Sequence, residues 1–199
     1  MGCNFNIKKN EENMDLDFPN EYTEELKSKM KTSFWKCNDD SQVNSALHYY
    51  VLIPNNVKPN SLTEKNIPGS DVVKEIASYQ RIDKSPYLEV QVVYELLSQD
   101  INPSDWQYSL LKDNQETIIN RKEIQGKSEK FLDALTQKEY PNGETVISRS
   151  TAQKNYDSST QQTLIMSIKV SCNVNDYPEL AEEMMAIAKG WNFINKSEY

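Results

Sequence analysis

A serine or cysteine nucleophile needs a base beside it, and the chain holds a single histidine, His48. His48 opens the β-prone run His48–Ile53, where an imidazole reads as a structural group. Glu182 and Glu183 are the nearest approach to an acid–base pair, but they fall on the polar side of the last helix, where charges are ordinarily solvated. The five glycines stand apart at positions 2, 69, 126, 143 and 190, so no glycine-rich loop cradles a phosphate and no dinucleotide fingerprint is present. Cys3, Cys37 and Cys172 have neither zinc nor redox spacing. These residues predict no catalytic site, no metal and no cofactor, hence a chain that is not an enzyme.

The chemistry that the residues do support is acylation. Gly2 followed by Cys3 resembles the end of a bacterial lipobox, which would make Cys3 the lipid-bearing first residue of a mature lipoprotein. Alternatively, Gly2 carries a myristoyl group and Cys3 a palmitoyl group, the two anchors that stable attachment requires, although Asn6 stands where that motif prefers Ser or Thr. A plain cytosolic start is the third reading. With Cys3 modified, Cys37 and Cys172 remain as a candidate disulfide in an oxidising compartment; in a cytosol they are small buried hydrophobes.

Thirty acidic residues against 22 basic ones give a net charge of −8, so a phosphate backbone is repelled on average and nucleic acid is not an expected partner. No apolar run approaches the roughly eighteen residues that span a bilayer. Eleven Tyr and three Trp are too many for a disordered chain, and 199 residues suffice for one domain with an arm.

The elements divide the chain into three parts. Residues 1–20 are Asn-, Glu- and Lys-rich and form a flexible polar tether. Residues 21–45 hold an amphipathic helix and its connection: Tyr22, Leu26, Met30 and Phe34 recur every four positions between Asn20 and Lys36, a stripe that packs on the body or on a partner. Residues 46–199 form the body. A strand over 48–53 stops at Pro54, and the Pro- and Asn-rich stretch to Ser70 reads as loop. Strands follow over 72–82 and 88–96, the second alternating apolar Leu88, Val90, Val92 and Tyr94 with polar Glu89 and Gln91. Asn102–Asp105 opens a helix that crosses the sheet with Trp106 and Leu110 inward. Four more strands are predicted over 117–124, 131–139, 144–154 and 164–172, with Asn142-Gly143 turning one hairpin. Asp176 and Glu179 form a cap-like pair before a final helix whose inner stripe is Leu180, Met184, Ile187, Trp191 and Ile194. The class is α+β: a largely antiparallel sheet of about six to seven strands, a crossing helix and a C-terminal helix packed on it, plus the N-terminal helix.

This order resembles the PsbP-like fold, and is similar to DcrB-type lipoproteins and Eag-type secretion chaperones. The likeness is carried by Tyr49–Pro54 (YYVLIP) and by Ile168–Cys172 (IKVSC), running through Tyr177 into the helix that ends Trp191–Phe193, and it covers residues 46–194. The chain departs from the pattern where Asn55, Asn56 and Val57 replace a Trp expected soon after the opening Pro. The resemblance implies a non-catalytic accessory or assembly protein and transfers no binding residue. With Gly2-Cys3 and the tether, the expected function is a membrane-anchored, periplasm-facing lipoprotein that binds another protein in an envelope or secretion complex. The alternative is a soluble cytoplasmic chaperone or immunity-type protein with a basic or apolar client.

Overall fold

The computed structural model describes residues 16, 18–19, 21–35, 47–61, 64–82, 86–125, 130–157 and 161–194. Gly2, Cys3, Cys37, most of the expected tether and residues 195–199 lie outside the described residues. The fold is α+β. Its main sheet has eight strands: β3 (Val57–Ser61), β4 (Lys65–Asn66), β5 (Lys74–Arg81), β6 (Glu89–Leu97), β7 (Thr117–Gln125), β8 (Lys130–Glu139), β9 (Thr145–Asp157) and β10 (Gln162–Asn173). The order is β3-β5-β6-β10-β9-β8-β7 with β4 also on β5, and every pairing is antiparallel. A small sheet in the order β1-β2-β11 comprises β1 (Met30–Trp35), β2 (Tyr49–Pro54) and β11 (Trp191–Phe193). The α-helices are α1 (Glu24–Ser28), α2 (Pro103–Asp113) and α3 (Tyr177–Lys189).

Strand alternation gives the main sheet two unlike faces. On the first, Val90 and Val92 of β6, Leu164, Met166, Ile168, Val170 and Cys172 of β10, and Ile147 and Leu135 of the next strands form one apolar layer. Leu180, Met184 and Ile187 of α3 and Tyr49, Val51 and Ile53 of β2 cover it. Burying each such side chain is worth about 1.5–3 kcal/mol before ordering entropy is charged, so this layer dominates the fold. On the second face α2 covers only part of the sheet. Asn102 caps it by accepting from Ser104 N at 3.2 Å, and Trp106 and Leu111 seat it on Val93, Ala152 and Ile165 and on Leu132 and Ala134. Gln107 and Leu111 are buried beside Trp106, whereas Leu110 is only half-buried.

The N-terminal helix is far shorter than the sequence stripe suggests. Thr23 caps α1 by accepting from Leu26 N at 3.1 Å, and α1 ends at Ser28. Residues 30–35 are instead strand β1, in register with β2 from Met30 opposite Pro54 to Trp35 opposite Tyr49. Thr32, Phe34 and Trp35 favour extended backbone, and β2 offers them a pairing edge, so tertiary pairing overrides a four-residue period that helix and strand can share. The 55–70 stretch is likewise not all loop: Val57 is buried on β3, an edge strand, which is where Pro59 is tolerated within a sheet.

Trp191 and Ile194 are not on the last helix. The helix ends at Lys189, and a Cβ on Gly190 would stand 2.3 Å from the Ala186 carbonyl oxygen and 2.8 Å from Leu52 Cδ1. Only glycine lets the chain turn that closely into β11, where Trp191 pairs with Val51. Trp191 is still inward, donating from Nε1 to Thr151 Oγ1 at 2.8 Å. Asp176 holds the N-cap position of α3 without a side-chain cap bond, so the cap-like pair is not formed.

Candidate functional site: a polar cleft on the uncovered half of the sheet

Register across β8, β9, β10 and β6 brings small and polar residues into rows on the second face. One row runs Thr136, Ser148, Ser171, Glu89, and the next runs Ala134, Ser150, Lys169, Gln91. α2 lies over the apolar end of this face and reaches Ala134 and Ser150, and the rows continue past it as the floor of an open cleft of about 610 Å³. Small side chains make the floor low. Long ones make the walls: Tyr87 and Glu89 on one side, Lys138, Tyr140 and Glu144 of the β8–β9 hairpin on another, and the end of α2 on the third.

The floor is tied together internally. Ser148 Oγ and Ser171 Oγ lie 2.8 Å apart, and Gln107, wholly buried on α2, donates from Nε2 to Ser150 O and Oγ at 2.9 Å each. Gln91 donates to Glu75 Oε2, which lies beside Gln91 on the same face, and Lys65 pairs with the other Glu75 oxygen at 2.7 Å. Glu116 is the keystone of the α2 wall. Its carboxylate accepts from Lys169 Nζ at 3.0 Å and from Thr136 Oγ1 at 2.6 Å, joining a strand lysine to the helix end. Gln115 adopts φ +58 immediately after α2, and this left-handed residue turns the chain so that Glu116 points back at the sheet.

The rim is tyrosine and carboxylate. Tyr87 donates to Glu89 Oε2 at 2.5 Å. Burial, then the Glu89 and Glu144 carboxylates, hold the Tyr87 phenol well above its ordinary pKa, so it remains a donor at any physiological pH. Lys138 donates to Asn114 O at 2.7 Å with its ammonium 5.5 Å from the Tyr140 ring centroid. Both cleft lysines are thus already engaged, and carboxylates outnumber them.

Among the described residues of the cleft, none forms a nucleophile–base pair. His48 lies half-buried at the start of β2, its carbonyl accepting from Ile194 N at 2.9 Å, and is not among the cleft residues. Glu183 pairs with Arg81 at the edge of α3 instead of facing Glu182 as an acid–base partner. Among the described residues no group of three or more His, Cys, Asp or Glu is placed to hold a metal, and no helix is long and apolar enough to cross a membrane.

The residues singled out in the sequence go elsewhere. Tyr22, Leu26 and Met30 pack on Met185 and Ala186 of α3, so most of the stripe is spent on the chain's own core, and only Phe34, 61% exposed on β1, faces solvent. Leu16 and Phe18, assigned to the tether, also rest on the core. The Arg149 guanidinium stacks 4.4 Å from the Phe18 ring centroid, donates to Pro19 O at 3.0 Å and pairs with buried Asp133 through Nε and Nη2 at 2.9 and 2.6 Å. Cys172 is a buried free thiol, 3.4 Å from Met184 Sδ. The sequence reading missed Gln107, Glu116, Lys169 and the serine rows. The available signal was the alternation of Ser148 with Ser150, and of Ser167 and Ser171 about Lys169, on the face opposite the apolar layer.

No family model and no curated protein sequence matches the chain. Among solved structures it is similar to LpqN, involved in cell envelope biogenesis of Mycobacterium tuberculosis, with a TM-score of 0.50 at 7% identity over 83% of this chain and 92% of that one. It is also similar to cyanobacterial PsbP (CyanoP) from Synechocystis, with a TM-score of 0.48 at 9% identity over 82% and 92%. A mutant of the protein Mog1 gives 0.45 at 11% identity over 84% and 98%. The chain has a PsbP-like fold, as the resemblance over residues 46–194 implies, and at these identities the likeness speaks of fold alone.

Proposed function

We propose that this chain is a non-enzymatic accessory or assembly protein of an envelope or secretion complex, whose domain grips another protein at the polar cleft. One observation carries the reading: α2 covers only part of its sheet face, leaving a cleft of about 610 Å³ floored by serines, with no nucleophile–base pair among its described residues. Serine hydroxyls both donate and accept, so they match the alternating N–H and C=O groups of an extended peptide segment. The excess of carboxylates over lysines in the cleft favours a segment with a basic residue at the rim. The shared fold of LpqN, a protein of cell envelope biogenesis, supports an envelope setting. Acylation of Cys3, or of Gly2 in the alternative, would hold the domain at a membrane with the N-terminal segment pinned to the body at Phe18 and Pro19.

The test uses two exposed tyrosines. A photo-crosslinking phenylalanine at Tyr140, on the cleft rim, should yield one dominant protein adduct in cells, and the same group at Tyr156, outside the cleft, should not. Equal adducts from both positions, or none from Tyr140, would refute cleft binding. The tether is tested separately by mass spectrometry of the N-terminal peptide from native membranes. Acyl mass on that peptide is expected, and an unmodified peptide from the soluble fraction removes the tether.

A further inference from the structure

The main sheet has two outer edges of unlike character. One is β3, broken by Pro59 and a register shift beside it. The other is β7, nine residues without Pro or Gly, and among the described residues no strand lies beyond it. A long regular edge is a pairing template unless something blunts it. The bulge between Ile118 and Asn120 twists only one end and leaves the stretch from Asn120 to Gln125 in regular register with β8.

The side chains on that stretch are self-complementary. Arg121 and Glu123 are exposed, sit two residues apart and therefore share one face, opposite Ala134 and Leu132 of β8. Neither side chain has an ion-pair partner among the described residues. In an antiparallel pairing of β7 with a second β7 about a two-fold axis through Lys122, each Arg121 falls directly opposite the other copy's Glu123, which makes two cross-strand ion pairs from one operation. Half-buried Asn120 and Ile124 oppose one another in the same register. Lys122 opposes itself on the other face, a like-charge contact that weakens the pairing without changing its register.

We propose that β7 is a homodimer edge, joining two copies into one continuous antiparallel sheet with Arg121 paired to Glu123 across the two-fold axis. The partner is a second copy of this chain. Interfaces of edge-to-edge type are small, so the dimer forms reversibly and its population rises with concentration.

Sedimentation of the full, unacylated chain over a concentration series tests this. The wild type is expected to move from monomer to dimer. Arg121→Glu and Glu123→Arg, each alone, turn both ion pairs into repulsions and should weaken dimerisation by at least about tenfold. The double variant Arg121→Glu/Glu123→Arg restores both pairs with signs exchanged and should return the dimer to within about threefold of wild type. Lys122→Gln should tighten it. A chain that stays monomeric at all concentrations, single reversals without effect, or a double variant as weak as the singles would overturn the proposal. Circular dichroism melting of each variant separates loss of dimer from loss of fold.

Discussion

Lys169 of β10 and Glu116 just beyond α2 meet at 3.0 Å, and with Thr136 of β8 they bind the helix end to two strands of the sheet. The Glu116 side chain is 3% exposed while Lys169 is 25% exposed, so the carboxylate depends on its partners more than the lysine does. Glu116→Ala should lower stability by about 1–3 kcal/mol, read as a shift in urea midpoint. A variant with the wild-type midpoint would show that the pair contributes nothing.

Gln115 bears the backbone conformation that aims Glu116, and a side chain at φ +58 carries a steric penalty that glycine avoids. Gln115→Gly is expected to raise stability by about 0.5–1 kcal/mol, less the entropy that glycine adds to the unfolded chain. Destabilisation by thermal melting would mean that the Gln115 side chain makes a contribution beyond its backbone.

The Arg149–Asp133 pair is wholly buried, with Phe18 and Pro19 closing over the guanidinium. Asp133→Ala leaves an uncompensated buried cation and should cost about 3–5 kcal/mol, whereas Asp133→Leu with Arg149→Met removes both charges and should cost far less. Equal losses in chemical denaturation would show that packing, not charge, is what the pair supplies.

Trp191 is 3% exposed and hydrogen-bonded to Thr151, while Phe34 is 61% exposed on an edge strand. Trp191→Ala should cost about 3–5 kcal/mol and Phe34→Ala less than about 0.5 kcal/mol. Similar midpoints would place Trp191 outside the core.

Burial, with Asp176 adding to it, pushes the Cys172 thiol up to about 12 from an ordinary 9.0. Its thiolate fraction at pH 8 is then on the order of one in ten thousand, so in a Cys3→Ser/Cys37→Ser background a disulfide reagent should find no thiol in the native protein and one in urea. Because the native pKa is the higher one, the native fold holds this proton more tightly. That contribution to stability is whole below about pH 9 and falls as pH rises towards 12. Rapid native reaction at pH 8 would contradict the buried placement.

The fold was legible where one physical signal acted alone. Alternation of Leu164, Met166, Ile168, Val170 and Cys172 could only serve a strand with one apolar face, and Asn142-Gly143 could only turn a hairpin, as Gly143 at φ +83 bears out. It failed where two signals competed. Tyr22, Leu26, Met30 and Phe34 satisfy a helical period, but Thr32 to Trp35 equally suit the free edge of β2, and a long-range pairing decided between them. The sequence pattern turns Trp191 inward but keeps it on the helix, because the close approach of Gly190 to Leu52 belongs to the tertiary fold. The cleft was illegible for the same reason. Ser148, Ser171 and Glu89 stand far apart along the chain and form a row only through strand register, and Gln107 and Glu116 join them from a helix whose docking no local pattern specifies.

Filling the cleft floor shows whether a protein partner occupies it. Ser171→Trp projects an indole into the cavity between Ser148 and Glu89 and gives up one hydroxyl contact, worth about 1 kcal/mol. With the crosslinker at Tyr140, this variant should lose at least about nine-tenths of the wild-type protein adduct while its urea midpoint stays near wild type. An undiminished adduct from a folded Ser171→Trp chain would show that the partner binds elsewhere.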